Sequence, residues 1–330
     1  MAPAMSVLAT SIRSTFAQWL KSVIGGPGAV WKILALLFAL GNIKNATFVW
    51  HFRFFKAYTY HLYRQPTKIP PSALFQPVVT TSHTPITEMD YNMHKSNSTY
   101  FADMDISRTH LFSALMRNAI LKAEKRQFAE KQARRGPVGK LFGNLGLSWP
   151  RAAGDGTTGY MIALGGVSCN FKREILPYKK YEMWTRLLTW DRKWFYLVTW
   201  IVKPGYGQAA SFSLQPWRKV KGKKFKSEEE LSKAVYATAI AKYVIKKGRI
   251  TVPTEQALFD AEMVPEKPEG WVYNEAAAEK ADGEWNWDVI EKERRRGLAF
   301  AEAFLSLDGL NERFDGGKEG GVLGEFTDLF

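Results

Sequence analysis

The chain has 330 residues, 46% of them hydrophobic and 24% charged, enough apolar content for at least one sizeable core and incompatible with a collagenous or wholly disordered polymer. Cys169 is the only cysteine, which excludes an intramolecular disulfide and argues against a cysteine-based zinc site. The net charge of +14 is unevenly spread: from Glu255 onward there are 19 acidic and 8 basic residues, against 13 acidic and 38 basic before it. A basic body followed by an acidic tail suits phosphates, acidic carrier proteins or anionic lipid; no nucleic-acid-binding module accompanies the charge, and no nucleic acid is expected.

The first strongly apolar run is Ala29 to Leu40, AVWKILALLFAL, followed at once by Gly41, Asn42, Lys44 and Asn45. It is shorter than the roughly 20 residues of a spanning helix, so an interfacial or docked helix is expected. From Phe48 to Tyr63 aromatic and basic residues alternate, a composition suited either to a membrane interface or to a helix covering a sheet. These features divide the chain into a hydrophobic segment at 1–50, a central domain at 51–254 and an acidic helical tail at 255–330.

Phe75 to Thr87 is β-prone. Beyond it Phe101, Met104, Leu111, Phe112, Leu115 and Met116 recur at helical intervals and mark one buried face of a helix expected to extend to about Arg135, its later, highly charged part projecting into solvent. Glycines at 136, 139, 143, 146, 154 and 156 mark a poorly specified insertion between Lys122 and Thr158. Strands are then predicted from about Gly159 to Arg173, Tyr181 to Trp190, Trp194 to Val202 and Ala234 to Lys246, and the last places Val235, Ala237, Ala239, Ala241, Tyr243 and Ile245 on one face. QPWRKVKGKKFK at 215–226 reads as a basic loop, and a tail helix is expected around Trp285 to Leu305. One long helix against successive strands is an α+β architecture.

Between the first strand and the helix lies EMDYNMHKSNSTYFADMDISR, residues 88–108, with Asp90, Asn92, His94 and Asn97 close together. Asp, Asn and Ser gather before helices because they cap them. The same groups beside backbone N–H donors also form the arrangement that acyl transfer needs. Cys169 lacks a nearby base and reads as structural, and Gly166, Ser168 and Asn170 do not complete a G-x-S-x-G elbow.

The segment Asp90-x-Asn92-x-His94-x-x-Asn97-x-x-Tyr100 and the order of elements resemble the hotdog-fold acyl thioesterase superfamily over roughly residues 75–252. Asp90, Asn92 and His94 fall on the catalytic Asp, Asn and His of plant acyl-carrier-protein thioesterases. Asp105 and Arg108 match an acid and an arginine on the helix of bacterial acyl-CoA thioesterases. FVWHFRFF and the tail with Trp285 and Trp287 resemble a fungal subgroup, some of whose members are encoded beside biosynthetic gene clusters. Glu88 stands at the motif's first acid, Ser96 replaces the first asparagine of its usual pair, and Lys95 replaces a smaller residue near the expected acyl entrance.

The resemblance implies an antiparallel sheet wrapped around a central helix. It implies hydrolysis of an acyl-CoA or acyl-carrier-protein thioester without a cofactor or metal, in at least a homodimer. Asp90 would be base or nucleophile, or would fix the tautomer of a His94 base, with Asn92 orienting water or the carbonyl. Backbone N–H groups near Asn97 and Ser98 would receive the oxyanion, while Tyr100, Phe101, Met104 and Asp105 would line the substrate. A cytoplasmic location is expected, with residues 29–63 able to rest on a membrane surface. Competing readings are a non-catalytic acyl-binding or membrane-associated interaction protein and a hotdog dehydratase or hydratase.

Overall fold

The computed structural model describes residues 14–15, 18, 21–22, 25–134, 159–220, 225–281, 283–316 and 322–327. Most of the expected insertion, including its glycines from 136 to 156, lies outside the described residues. Helices α1 (Ala29–Gly41) and α2 (Val49–Thr59) are joined through a 3-10 turn at Ile43–Asn45, and α2 runs on into a π turn at Tyr60–Arg64. Strand β1 (Val78–His83) is confined between Pro77 and Pro85, shorter than the β-prone stretch around it.

The central helix α3 (Thr99–Leu115) is followed by α4 (Arg117–Arg134). A single helix to Arg135 is therefore not what forms: Met116 leaves helical geometry at φ −90°, ψ 3°. The Met116 N–H still bonds the Phe112 carbonyl, and the Met116 carbonyl accepts from Ile120, so hydrogen bonding spans the joint. Neither Pro nor Gly marks the position.

Strands β2 (Tyr160–Phe171), β3 (Lys180–Trp190), β4 (Trp194–Val202), β5 (Val235–Lys247) and the short β6 (Ile250–Val252) complete the sheet. A capped helix α5 (Glu228–Ala234) leads into β5; α6 (Thr254–Asp260), α7 (Glu275–Lys280) and α8 (Trp287–Leu305) follow. The strand order is β1-β3-β4-β5-β2, every pairing is antiparallel, and β6 extends the β4 edge of β5. This is the α+β hotdog arrangement, a sheet folded around one helix.

The sheet's inner face holds α3. Leu111, Leu115 and Met116 pack with Leu187, Phe195 and Leu197, and the small Ala237, Ala239 and Ala241 of β5 complete that face beneath the helix. Polar ties fix the helix over the centre of the sheet: Ser107 Oγ lies 2.8 Å from Thr185 Oγ1, which lies 3.0 Å from Thr199 Oγ1. Trp190 stacks on Phe75 with centroids 5.8 Å apart.

The outer face holds α8, where Ala301 and Phe304 meet Tyr196, Leu188, Trp194 and Ile240. A side chain at Gly297 would place Cβ 2.5 Å from the Leu188 carbonyl oxygen, so the close crossing of α8 over β3 requires glycine there. The acids of this helix do not reach across to the basic body. Glu291 pairs with Arg294 and Arg295 of its own helix, and docking is largely apolar; beyond α8, Asp308 takes Lys242.

Candidate active site

The loop between β1 and α3 closes as a small hairpin. Met89 and Lys95 form a bridge, Ser96 N–H bonds the Glu88 carbonyl at 2.7 Å, and Asp90 N–H bonds the His94 carbonyl at 2.9 Å. Met93 turns the tip with φ 60°. The Asp90 side chain holds the turn from within: Oδ1 accepts the backbone N–H of Asn92 at 2.9 Å and of His94 at 3.2 Å. Oδ2 takes no part in these bonds. Among the described residues no hydrogen bond joins the His94 imidazole to Asp90, so the Asp–His tautomer relay is not formed here.

Asp90 and His94 are half-buried, Asn92, Asn97 and Ser98 are exposed, and Tyr91 at the tip is 94% exposed. The loop delivers Asp90 to the beginning of the central helix. Burial raises the Tyr100 phenol, and Cys169, Tyr236 and Asp90 raise it further. No side chain caps the first helical turn: Ser98 occupies the cap position without a side-chain bond, and the Thr99 hydroxyl turns back to the Ser96 carbonyl at 2.7 Å. The Thr99 N–H is taken by the Ser96 carbonyl at 3.0 Å, so any anion at this turn would meet the N–H groups that follow it and the helix dipole. Tyr100 and Met104 are buried, with Phe101 and Cys169 packed against them and Phe171 edge-on to Tyr100 at 5.0 Å.

Asp105 lies further along the helix, half-buried; burial raises its carboxyl, opposed by Arg108 at 3.5 Å. Arg108 is 2% exposed, and its Nε and Nη1 have no hydrogen-bond partner among the described residues. Burial pushes the Cys169 thiol up to about 11, with Arg108 opposing, which leaves it a poor nucleophile.

Beneath the hairpin sits a buried ionic cluster that sequence reading missed. Glu88 and Lys95 project inward from the base of the loop, and Asp103 meets them from α3. Lys44 Nζ lies 2.7 Å from Glu88 Oε1 and 2.7 Å from Asp103 Oδ2, while Lys95 pairs with Glu88 and stands 3.3 Å from Asp103 Oδ2. Arg53 donates to Asp103 Oδ1 at 2.9 Å, Ser82 at 3.2 Å, and Tyr181 donates to Oδ2. Burial pushes the Asp103 carboxyl up, but the Lys44 and Lys95 ammonium groups overcome it and hold it well below the usual carboxylate range.

Lys95, expected near the acyl entrance, points instead into this cluster with a fully buried side chain, between the rings of Tyr100 and Tyr181. The one available signal was Asp103 itself, an acid between Phe101 and Met104 on the apolar side of the helix. No spacing rule connects it to Lys44, 59 residues earlier. A cleft of about 680 Å³ is lined by Ala119, Lys122, Arg126, Tyr160 and Trp285 and includes no residue of the Asp90 loop. Among the described residues no group of three or more His, Cys, Asp or Glu side chains could hold a metal ion.

The loop thus carries the Asp90 carboxylate ahead of a sheet-wrapped helix whose first turn has no side-chain cap. The profile of the thioesterase-like superfamily matches residues 84–227. Thioesterase poxG of Penicillium oxalicum is 32% identical over 305 residues, covering 90% of each chain, and the probable thioesterase atnL of Emericella nidulans is 34% identical over 302 residues, covering 89% of this chain and 91% of that one. Among solved structures, the probable thioesterase YbaW of Escherichia coli covers 56% of this chain and 96% of its own at 11% identity, with a TM-score of 0.32. The chain belongs to the thioesterase-like superfamily and is a thioester hydrolase of the hotdog class.

One titratable pair ties the helices together away from the loop. His61 Nε2 lies 2.9 Å from His110 Nδ1, and burial first, then neighbouring positive charge, lowers each imidazole to about 4. Both stay neutral in the folded state while the unfolded chain protonates near the ordinary value of 6.5, so the unfolded state binds more protons in that window. Stability should fall as pH drops from 6.5 towards about 4, and His61→Phe should flatten that slope in denaturant midpoints measured against pH. An unchanged slope would remove the pair from the acid response.

Proposed function

We propose that the enzyme hydrolyses an acyl-CoA or acyl-carrier-protein thioester at the junction of the hairpin and α3. The observation supporting this most directly is the Asp90 carboxylate, with one oxygen fixed by two N–H groups of its own loop and the helix start uncapped beside it. As general base, Asp90 takes a proton from water as the water oxygen bonds to the thioester carbonyl. The carbonyl becomes an oxyanion that the first-turn N–H groups, near Asn97 and Ser98, stabilise. Collapse breaks the C–S bond, releasing acid and thiol once the sulfur regains the proton. As nucleophile, Asp90 would expel the thiolate, which takes up a proton, and form a mixed anhydride that water opens to free acid and the regenerated carboxylate.

Asn92 and His94 orient water or the carbonyl in this reading. The acyl group lies by Tyr100, Phe101 and Met104, with Asp105 further along the same helix. The basic body suits the phosphates of coenzyme A or an acidic carrier protein. Asp90→Asn retains an acceptor for the Asn92 and His94 N–H groups, so the fold should persist while the rate falls about a hundred- to ten-thousandfold. Unimpaired hydrolysis by that variant on a panel of acyl-CoA and carrier-protein thioesters would remove Asp90 from the chemistry; ligand binding without turnover by the unaltered chain would favour the non-catalytic reading.

Pairing through β2 supports the expected homodimer. Among the described residues β2 pairs with β5 alone, and it carries Leu164, 50% exposed, beside Gly165 and Gly166. An unpaired edge of this length is a template for a second strand. Sedimentation should give twice the chain mass, and a monomer at micromolar concentration would count against the pairing.

Residues 29–63 are assigned to a membrane surface. α1 buries none of its residues, Trp31 is 75% exposed and Phe48 73%, and no Asp or Glu precedes Glu88 while eight Lys and Arg do. No described helix is long and apolar enough to span a bilayer, so the contact is peripheral. The enzyme should float with phosphatidylserine-containing vesicles, and Leu37→Glu with Phe52→Glu should abolish flotation. Unaltered partition of that double variant would rule this contact out.

A further inference from the structure

The segment between α1 and the middle of α2 grips the catalytic loop at both ends. At the near end, Asn42 Oδ1 accepts the Thr87 backbone N–H at 2.9 Å and the Thr87 hydroxyl at 3.1 Å, and Asn45 Nδ2 donates to that same hydroxyl at 2.9 Å. Lys44, between them, reaches Glu88, the next residue of the loop, and donates to the His83 carbonyl at 2.8 Å on the end of β1. At the far end, Trp50 Nε1 donates to the Ala102 carbonyl at 3.2 Å and Arg53 holds Asp103. Everything between Thr87 and Ala102, Asp90 and the helix start included, is bracketed by these contacts.

The superfamily match begins at residue 84, so all five gripping residues lie outside the matched module. They nevertheless supply two of the three cations around its buried acids. Lys44 is the one group in the segment that touches both carboxylates, Glu88 on the loop and Asp103 on the helix. Its ammonium thereby ties the strand-side base of the hairpin to the central helix that follows Asp90 in the chain.

We propose that residues 42–53 form a clasp that sets the position of Asp90 against the start of α3, with Lys44 as its central positioning residue. It touches no substrate and acts through Glu88 and Asp103. The inference rests on Asp90 as the reacting carboxylate. A positional error of about 1 Å at a reacting group can cost a hundredfold in rate, whereas substrate affinity, set by the acyl floor and the basic surface, is not addressed by the clasp.

The test uses the full chain with Lys44→Met, Lys44→Arg, Glu88→Gln and Asp90→Asn, folding being checked by circular dichroism. Lys44→Met and Glu88→Gln should each lower kcat about ten- to a hundredfold with KM nearly unchanged, and Lys44→Arg, which can still span two carboxylates, should restore most of it. A folded Lys44→Met variant with unaltered kcat, or one whose loss appears wholly in KM, overturns the proposal. So does failure of both Lys44→Met and Glu88→Gln to fold, which would make the cluster a stability element alone. Normal activity of Asp90→Asn would instead overturn the assignment of the reacting group, independently of what Lys44 variants do.

Discussion

The carboxylate of Asp103 is the point on which the loop-bearing end of this fold depends. It lies 1% exposed inside the protein and is met by Lys44 and Arg53 from the N-terminal segment, Ser82 from β1, Lys95 from the loop and Tyr181 from β3. Five side chains from four separate parts of the chain converge on one carboxylate. Taking such charges out of water costs several kcal/mol per ion, and the attraction offsets it only where geometry is good and remaining lone pairs are bonded. Here both oxygens of Asp103 and both of Glu88 have donors, so the cluster gives little net stability but strongly disfavours any arrangement that breaks it. Its effect is specificity of position, which a catalytic loop needs more than it needs stability.

Burial on all sides also explains the character of the central helix. A helix lying on a sheet shows an apolar stripe, whereas α3, wrapped by the sheet on one side and by α2 on another, buries Ser107, Thr109 and Ser113 alongside Met104, Leu111 and Leu115. The polar members are partly accounted for: Ser107 bonds Thr185, and Thr109 bonds the Asp105 carbonyl at 2.7 Å. The strands follow the same logic. β4 and β5 are buried on both faces where α3 lies inside and α8 outside, which is why Lys242 is buried and why Asp308 is drawn onto it.

Much of the architecture could be read from the sequence because it rests on short-range periodicity. The four long strands were located to within about two residues, since alternation in YEMWTRLLTW and in the alanine-rich Val235–Ile245 segment is a local property of the strand. The break at Met116 was not legible: hydrogen bonds continue across it and no Gly or Pro stands there. Nor was the role of Lys95, whose neighbours Tyr100 and Asp103 are close in sequence but whose partners Lys44 and Tyr181 are not. Sequence placed Asp90, Asn92 and His94 in one loop; the carboxylate's bonds to their backbones rather than their side chains are a matter of turn geometry, which spacing does not encode.

The hairpin from Glu88 to Ser96 therefore has two chemically distinct poles. Its base is dry, with Glu88 and Lys95 committed to an ion cluster, and its tip is wet, with Tyr91, Asn92 and Met93 exposed. Asp90 stands between them, half-buried, one oxygen engaged with backbone N–H groups. In water such a carboxylate would be a weak, mobile base; wholly buried without a cation it would take up a proton and lose its charge. Anchoring the base of the loop while leaving its flank open gives a charged group a fixed direction without requiring that it be desolvated. Hydrolysis imposes that same pair of conditions, because the attacking water must enter freely and yet be held in line with the carbonyl.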